Sequence, residues 1–185
     1  AIVADSARPA VIAVIAGEGV RDVDAPHIHR RNLAVRGPGR TNSAGGHGIR
    51  FETADSAGGR IPGVRLHRIE VSGFYWNGLF FHSGHASNPG FDGAVIADCR
   101  FVDNGLNGIE FGGRFLAGGE PQYAHRDIVI RDTYVAGNSG RPGFAAPSGF
   151  GITLGFVDGA EIAYCQAYAN GELADAVTGG PAGVR

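Results

Sequence analysis

Apolar residues recur along the chain in short alternating runs, and a glycine precedes one kind of run. The pattern glycine, apolar, any residue, apolar occurs four times, and Gly183-Val184-Arg185 begins a fifth copy. The complete copies are Gly48-Ile49-Arg50-Phe51, Gly78-Leu79-Phe80-Phe81, Gly108-Ile109-Glu110-Phe111 and Gly151-Ile152-Thr153-Leu154. Alternation over three or four residues predicts β-strands with one apolar side. Each strand is too short to be stable alone, so each copy must pack against the next.

A second repeated block lies between these copies and consists of two short alternations separated by two residues. Its apolar positions are Val64, Leu66, Ile69 and Val71, then Ala94, Ile96, Cys99 and Phe101, then Ile128, Ile130, Thr133 and Val135, and finally Ala160, Ile162, Cys165 and Ala167. An earlier copy lies around Ile28, Leu33 and Val35. Three short strands in constant order predict an all-β, right-handed parallel β-helix of about five rungs. Its three parallel sheets would have rungs about 4.8 Å apart.

A column of asparagines follows the second block at a constant spacing. Phe74, Asn104, Asn138 and Asn170 occupy the same register, with Pro38 there in the earlier copy. Asn tolerates a left-handed turn, and its side-chain amide can pair with an identical amide on the next rung. The pattern therefore predicts an Asn ladder. Cys99 and Cys165 share an inward position two rungs apart, about 10 Å by the rung spacing, and are predicted to be unpaired core residues.

Composition narrows the classes of function. The chain has 185 residues, 32 of them glycine, and a net charge of -2, and its 16 basic residues are all arginine. There is no basic field for nucleic acid and no apolar run long enough for a membrane span. Two cysteines form no metal-binding spacing and no disulfide framework. The length fits one domain over residues 1–185.

With these repeats, the chain resembles the right-handed parallel β-helix superfamily that includes pectate lyases, polygalacturonases and many tailspike proteins, over about residues 10 to 185. In that family's order, Val64 to Leu66 matches the first strand, Ile69 to Val71 the second strand, and Gly78 to Phe81 the third strand. The resemblance implies an exported protein, secreted or periplasmic, that acts on an extracellular polysaccharide. Because the last copy stops inside a strand and neither end resembles a cap, we expect a segment truncated at both ends.

Candidate functional residues are those that alternation places on the outside of the third sheet. One outward column contains Arg50, Phe80, Glu110 and Thr153, and the next contains Glu52, His82, Gly112 and Gly155. Arg can bind the carboxylate of a sugar acid, and Glu or His can transfer protons. We therefore expect Glu52, His82 and Glu110 to be catalytic, with Arg50, Phe80, Tyr75 and Trp76 binding the substrate. These charged residues would also suit a merely solvated sheet face.

The first sheet offers a rival face, which the resemblance to the lyases favours. Its outward candidates are Arg65, His67, Arg68, Asp98, Arg131, Asp132, Glu161 and Tyr164. Their mixed charges indicate rung-to-rung salt pairing, although Arg131 beside Asp98 could hold an acidic sugar. His85, Asp92, His125 and Asp158 are predicted in third-turn loops. Gly46-His47-Gly48 matches the Gly-His-Gly of polygalacturonases but lacks that family's preceding Asp motifs, and indicates turn geometry.

Three functional hypotheses follow. The first is a lyase, or a hydrolase, that acts on an acidic polysaccharide. A lyase would use calcium held by carboxylates, whereas a hydrolase needs two carboxyl groups at a fixed separation and no metal. The second is a carbohydrate-binding or adhesin-like β-helix without chemistry. The third is a scaffold whose active site lies on rungs beyond Arg185. The sequence assigns no metal ligand, and because the chain has no lysine, a lyase would have to use Arg, His or Tyr as the proton acceptor.

Overall fold

The computed structural model describes residues 11–15, 29–53, 59–84, 89–114, 123–176 and 180–185. This part of the chain is almost entirely β-structure, with one short 3-10 helix at Ser43–Gly45. Its strands are β1 (Val11–Ile15), β2 (His29–Arg36), β3 (Ile49–Thr53), β4 (Ile61–Pro62), β5 (Arg65–Ser72), β6 (Leu79–Ser83), β7 (Phe91–Asp92), β8 (Val95–Ala97), β9 (Arg100–Val102), β10 (Ile109–Gly112), β11 (His125–Arg131), β12 (Tyr134–Ala136), β13 (Ile152–Leu154), β14 (Val157–Ala163) and β15 (Gln166–Tyr168). They stack as a parallel β-solenoid of about four turns, which confirms the predicted fold class.

Each turn of the coil, called a rung here, repeats the same order of strands. Rung 1 contains β2 and β3, rung 2 contains β4 to β6, rung 3 contains β7 to β10, and rung 4 contains β11 to β13. Strands β14 and β15 begin another turn. Equivalent strands pair in parallel, as β3 does with β6 and β6 with β10. The fifth glycine copy forms an isolated bridge between Ile152 and Val184.

The described strands form two hydrogen-bonded sheets, and the larger one bends to give two of the three predicted faces. Strands β1, β3, β6, β10 and β13 form the third face. The ten-stranded sheet carries the first and second faces, and the chain turns between them at a residue with φ between 50° and 55°. These residues are Asn32, Arg68, Asp98, Asp132 and Tyr164. A single left-handed residue bends the chain sharply, so strands β2 and β5 turn the corner without a loop.

Strand β1 departs from the parallel repeat. It runs antiparallel to β3, with Val11 opposite Thr53 and Ile15 opposite Ile49. The expectation that the parallel repeat extends back to about residue 10 is therefore wrong for this strand. By pairing with the outer edge of β3, β1 satisfies backbone groups that an edge strand would leave open.

Phenylalanines fill the interior behind the third face. Phe51, Phe81 and Phe111 stack along the coil, with ring centroids 4.7 Å apart in the first pair and 4.5 Å apart in the second. Phe91 packs edge-on against Phe81 at 5.0 Å. All four side chains are at most 2% exposed. Burying an aromatic side chain of this size stabilises the fold by roughly 2–3 kcal/mol, so this column holds successive rungs in register.

The predicted Asn ladder is present at the corner between the second and third faces. Asn104 donates from Nδ2 to Oδ1 of Asn138 at 2.9 Å, and Asn138 donates in the same way to Asn170 at 2.9 Å. Each Oδ1 also accepts the backbone N–H of the preceding member, including that of Phe74. Asn104 and Asn138 are completely buried. The ladder thus satisfies polar groups that water cannot reach.

A short strand segment precedes the first face in each complete rung and was not predicted. It consists of β4, of β7, and of the first two residues of β11 and β14. A residue with positive φ separates it from the first face, as Gly63 and Gly93 do. His125 lies on this segment and is completely buried, so its predicted position in a loop is wrong. Two residues are too few for alternation to be visible in the sequence.

Three arginines connect rungs that are not neighbours. Arg40 of rung 1 donates to the carbonyl oxygen of Gly137 in rung 4 at 3.2 Å. Arg60, at the start of rung 2, donates to the carbonyl of Ala124 at the start of rung 4 at 2.9 Å. Arg141 of rung 4 donates to the carbonyl of Tyr75 in rung 2 at 2.7 Å. These bonds pass over at least one rung, unlike the nearest-neighbour contacts of simple solenoids.

Candidate functional site

The outside of the third face carries the predicted polar columns in the predicted register. Strand β3 alternates between buried and half-buried residues, so Arg50 and Glu52 point outward. Arg50 lies opposite Phe80, and Glu52 lies opposite His82. On the next rung, Glu110 follows Phe80 and Gly112 follows His82. The alternation of short strands therefore predicts which residues share this surface.

Arg50, Glu52 and His82 form a compact charged cluster on rungs 1 and 2. Glu52 Oε1 accepts a hydrogen bond from Arg50 Nη2 at 2.8 Å, and it lies 3.1 Å from His82 Nδ1. The side chains of Glu52 and His82 are 23% and 26% exposed, so water screens this contact only partly. When His82 donates its Nδ1 proton to Glu52, the Nε2 lone pair of the neutral imidazole, which bonds to no described residue, can accept a proton.

Glu110 lies in a different environment from Glu52. Its Oε2 accepts hydrogen bonds from Nδ2 of Asn77 and from Nδ2 of Asn107, both at 2.8 Å. Asn77 and Asn107 are almost completely buried, and each precedes a glycine of the third-face repeat. Neither asparagine was predicted as part of the site, although their Asn-Gly spacing repeats. Two amide donors hold the Glu110 carboxylate in one orientation, which suits a structural role as well as a chemical one.

The two carboxylates of this face are not directly paired with each other. Glu52 lies on rung 1 and Glu110 on rung 3, in different outward columns. Two rung spacings correspond to roughly 10 Å or more. A retaining pair of carboxyl groups is about 5 Å apart, and an inverting pair is at most about 9.5 Å apart. The arrangement does not favour a glycoside hydrolase.

Four rings form a row across the third face. His82 stacks on Phe80 at 5.1 Å, Phe80 on His47 at 4.7 Å, and His47 on Trp76 at 6.0 Å between ring centroids. The sequence pattern Gly46-His47-Gly48 indicates turn geometry and does not predict His47 in the site. The residue is in a turn, but its ring joins the predicted substrate-binding residues to His82.

His47 is held in one neutral form. Its Nδ1 accepts the backbone N–H of Asn77 at 3.3 Å, so the ring proton lies on Nε2. Burial lowers the pKa of His47 to about 4, and the positive charges of Arg50 and His82 act in the same direction. His47 is therefore a neutral hydrogen-bond donor near neutral pH, whereas His82 is oriented by a carboxylate.

The aromatic residues predicted to bind sugar already have a partner. The Arg141 guanidinium carbon lies 3.3 Å from the ring centroid of Tyr75 and 4.2 Å from that of Trp76. Phe144 packs edge-on against Trp76 at 5.9 Å. Arg141 and Phe144 belong to a long turn in rung 4 that rungs 2 and 3 lack, and neither residue is predicted from the sequence. Tyr75 and Trp76 thus form a mixed aromatic and cationic corner rather than a bare stacking surface.

The rival first face consists of exposed ion pairs. His67 Nε2 lies 2.7 Å from Asp98 Oδ2 on the next rung, as rung-to-rung pairing predicts. Arg131 pairs with Asp132 at 2.7 Å within its own rung, and no hydrogen bond or ion pair between described residues joins its side chain to Asp98. These four side chains are 39–49% exposed. A groove of about 360 Å³ lies at the neighbouring bend, where Arg68, Glu70, Asp98 and Arg100 contribute to its lining.

The predicted third-turn residues separate into different environments. His125 stacks on Phe91 at 5.8 Å, accepts the backbone N–H of Phe91 at Nδ1, and donates from Nε2 to the carbonyl of Gly112 at 2.9 Å. Burial lowers its pKa to about 4. Asp158 lies on β14, 3.8 Å from Arg126. Asp92 lies on β7, and His85 lies outside the described residues. None of these described residues reaches the charged cluster of the third face through a hydrogen bond or an ion pair.

The donor groups of the third face differ from those of a metal site. Within the described residues, no group of three or more His, Cys, Asp or Glu is placed to hold a metal ion. Glu52 Oε1 is occupied by Arg50 and His82, and Glu110 Oε2 by two amides. This set does not fit the oxygen-rich coordination that calcium requires. Cys99 and Cys165 are free thiols, as predicted, and burial raises the pKa of Cys99 to about 11.

No protein-family model, curated protein or solved structure matches this chain significantly. The resemblance to pectate-lyase-like proteins therefore rests on the sequence repeat and on the parallel β-solenoid. Among the described residues, no helix is long and apolar enough to span a membrane.

Proposed function

We propose that this chain is part of an enzyme that cleaves an extracellular, acidic polysaccharide by a lyase reaction on the third face. The observation that carries the proposal is the contact of Glu52 Oε1 with both Arg50 and His82. It orients an imidazole whose Nε2 bonds to no described residue and can act as a base, beside an arginine and an aromatic ring. A base, a cation and a ring surface are the groups that cleavage of a sugar-acid polymer requires.

The proposed reaction is a β-elimination. His82 Nε2 removes the proton on the carbon next to the uronate carboxylate. The electron pair forms a carbon–carbon double bond, and the glycosidic oxygen leaves from the neighbouring carbon. Glu52 stabilises the imidazolium that forms, and the imidazolium returns the proton to the leaving oxygen. Arg50 stabilises the negative charge that develops on the carboxylate. The products are an unsaturated uronate and a shortened chain with a new hydroxyl group.

A non-catalytic carbohydrate-binding surface is the second candidate. It is favoured by the occupied state of both carboxylates, because Arg50 neutralises Glu52 and two amides hold Glu110. In this alternative, the same face binds the polymer and leaves it intact. In both candidates the partner is a polysaccharide and the protein is exported from the cell. Both expectations come from the resemblance to the β-helix superfamily.

The proposal is tested by incubating the chain with a panel of uronate and neutral polysaccharides. We expect ultraviolet absorbance from an unsaturated product with at least one uronate polymer. H82Q should lower the rate about 10²–10⁴-fold, because it removes the base. H67Q is the matched control, since His67 also contacts a carboxylate but on the first face, and it should leave the rate unchanged. Binding without product from any polymer would favour the second candidate, and full activity in H82Q would exclude the proposed base.

A further inference from the structure

The long turn of rung 4 holds Arg141 in a fixed position. The backbone N–H of Arg141 donates to Ser148 Oγ at 3.1 Å, which closes the turn. The backbone N–H of Gly143 donates to both carboxylate oxygens of Asp175, at 2.8 and 3.0 Å. At the base of the turn, the N–H of Leu173 donates to the carbonyl of Ser139 at 2.8 Å. The turn is thus bonded internally and to the chain that follows it.

Contacts with two rings and a carbonyl also hold the guanidinium of Arg141 in place. It lies over the rings of Tyr75 and Trp76 and donates one hydrogen bond from Nη2 to the carbonyl of Tyr75. An arginine has five N–H donors, and only one of those of Arg141 has a hydrogen-bond partner among the described residues. The stacking fixes the plane of the group, and a ligand that binds to it loses little additional side-chain entropy.

Arg141 also lacks a counter-charge within the described residues. Arg36, Arg40, Arg50, Arg100, Arg126 and Arg131 each lie within 4.0 Å of a carboxylate oxygen, whereas no described carboxylate is that close to Arg141. Arg141 is half-buried, and burial lowers its pKa. A cation held in one plane on aromatic rings, without a described counter-charge, is placed to bind an anionic ligand.

We infer that Arg141, together with Tyr75 and Trp76, forms a subsite that binds the carboxylate of an acidic sugar. This inference rests on the proposed function, and it places a binding position at the corner next to the catalytic face. The carboxylate would accept paired hydrogen bonds from the free guanidinium edge. The row of rings from Trp76 through His47 and Phe80 to His82 connects the subsite with the proposed base.

Trp76 is the only tryptophan of the chain, so its fluorescence reports directly on this corner. The chain is titrated with oligosaccharides of galacturonate, glucuronate, mannuronate and guluronate, and with their carboxyl-reduced counterparts, at low ionic strength. We expect a saturable change in emission with at least one uronate and a much weaker change with its reduced form. Added salt should weaken the uronate response because a charge contact is screened.

Two variants and two controls decide the inference. R141Q should weaken uronate binding about tenfold or more, and R141K should weaken it less, because lysine keeps the charge but not the paired donors. R131Q, which removes an exposed arginine of the first face, should bind normally. H82Q should keep the fluorescence response while it loses cleavage, which separates this inference from the proposed function.

The inference is overturned if uronate and reduced oligosaccharides bind equally, if no uronate changes the emission, or if R141Q binds as the unmodified chain does. Circular dichroism and urea unfolding check that each variant folds. If R141Q does not fold, R141K decides, and normal affinity of R141K at all salt concentrations would overturn the inference.

Discussion

The Asn ladder and the charged cluster of the third face are both polar columns held in register by the coil, yet their bonding differs. In the ladder, identical side chains bond to each other and to the backbone, and Asn104 and Asn138 are 0% exposed. In the cluster, Arg50, Glu52 and His82 are 23–36% exposed, and the imidazole keeps one nitrogen free of any bond to a described residue. A closed polar column therefore stabilises the fold, and an open one is available for a ligand.

The largest effect should come from breaking the ladder at its centre. N138A removes the acceptor of Asn104 N and Nδ2 and the donor to Asn170 and Phe101. Because these groups are buried, the free energy of unfolding should fall by about 4 kcal/mol, as measured by urea titration. N170A is the control at the half-buried end, where water can replace the lost bonds, and it should cost about 1–2 kcal/mol. Equal losses in both variants would contradict a role of burial.

The next largest effect should be the loss of stability in acid that the buried imidazole of His125 causes. The pKa of His125 falls from its ordinary value of 6.5 to about 4 in the folded chain, so the unfolded chain binds more protons between these values. The stabilising contribution of neutral His125 is therefore fully present above pH 6.5 and is lost as the pH falls towards 4. The free energy of unfolding should fall by about 2.5 kcal/mol for this residue between neutral pH and about pH 4.5.

H125F removes that titration, and urea titrations at several pH values measure it. H125F should be less stable than the unmodified chain near neutral pH, because it loses two hydrogen bonds, but its stability should change less with acid. His47 has a similar pKa on the third face, so H47N should remove a second part of the acid sensitivity. An unchanged acid response in H125F would show that His125 is not neutral in the fold.

Glu110 combines an outward carboxylate with buried amide donors, and its replacement should give a smaller effect. E110A leaves the buried amides of Asn77 and Asn107 without an acceptor, so the free energy of unfolding should fall by about 2 kcal/mol. E110Q keeps an oxygen at the same place and should cost less than about 0.5 kcal/mol. If E110Q is as unstable as E110A, the charge rather than the acceptor atom is needed, and Glu110 belongs with the cluster.

The smallest effect should come from the exposed pair of the first face. R131A removes an ion pair whose partners are 49% and 40% exposed. Pairs of this kind contribute little in water, so the free energy of unfolding should change by less than about 0.5 kcal/mol and be insensitive to salt. A loss above about 1 kcal/mol would show that this exposed pair stabilises the fold more than surface ion pairs usually do.

The fold could be predicted because its period is visible in the residues. The glycine copies fix the third-face register, and the spacing of Asn104, Asn138 and Asn170 predicts their ladder. The same alternation brings Glu52 next to His82. Repetition makes the prediction secure, because every copy must satisfy the same packing.

What the sequence did not predict lies where the repeat is interrupted. Arg141 belongs to a turn that occurs once, and its contact with Tyr75 passes over a rung. His125 lies on a segment of two residues, for which no alternation can be counted. The ring of His47 stacks on Phe80 because of the conformation of the turn that contains His47. Contacts of this kind depend on the three-dimensional course of a loop, which a periodic pattern does not encode.

The arginines that pass over a rung have a consequence for how this coil can change during evolution. Solenoids commonly gain or lose whole repeats, because each repeat contacts only its neighbours. Here, deletion of rung 3 would move Arg60 out of register with Ala124 and Arg141 out of register with Tyr75. Arg40 and Gly137 impose the same requirement over a longer interval. We therefore expect homologues to keep the number of repeats between these anchors and to vary in length mainly in the turns.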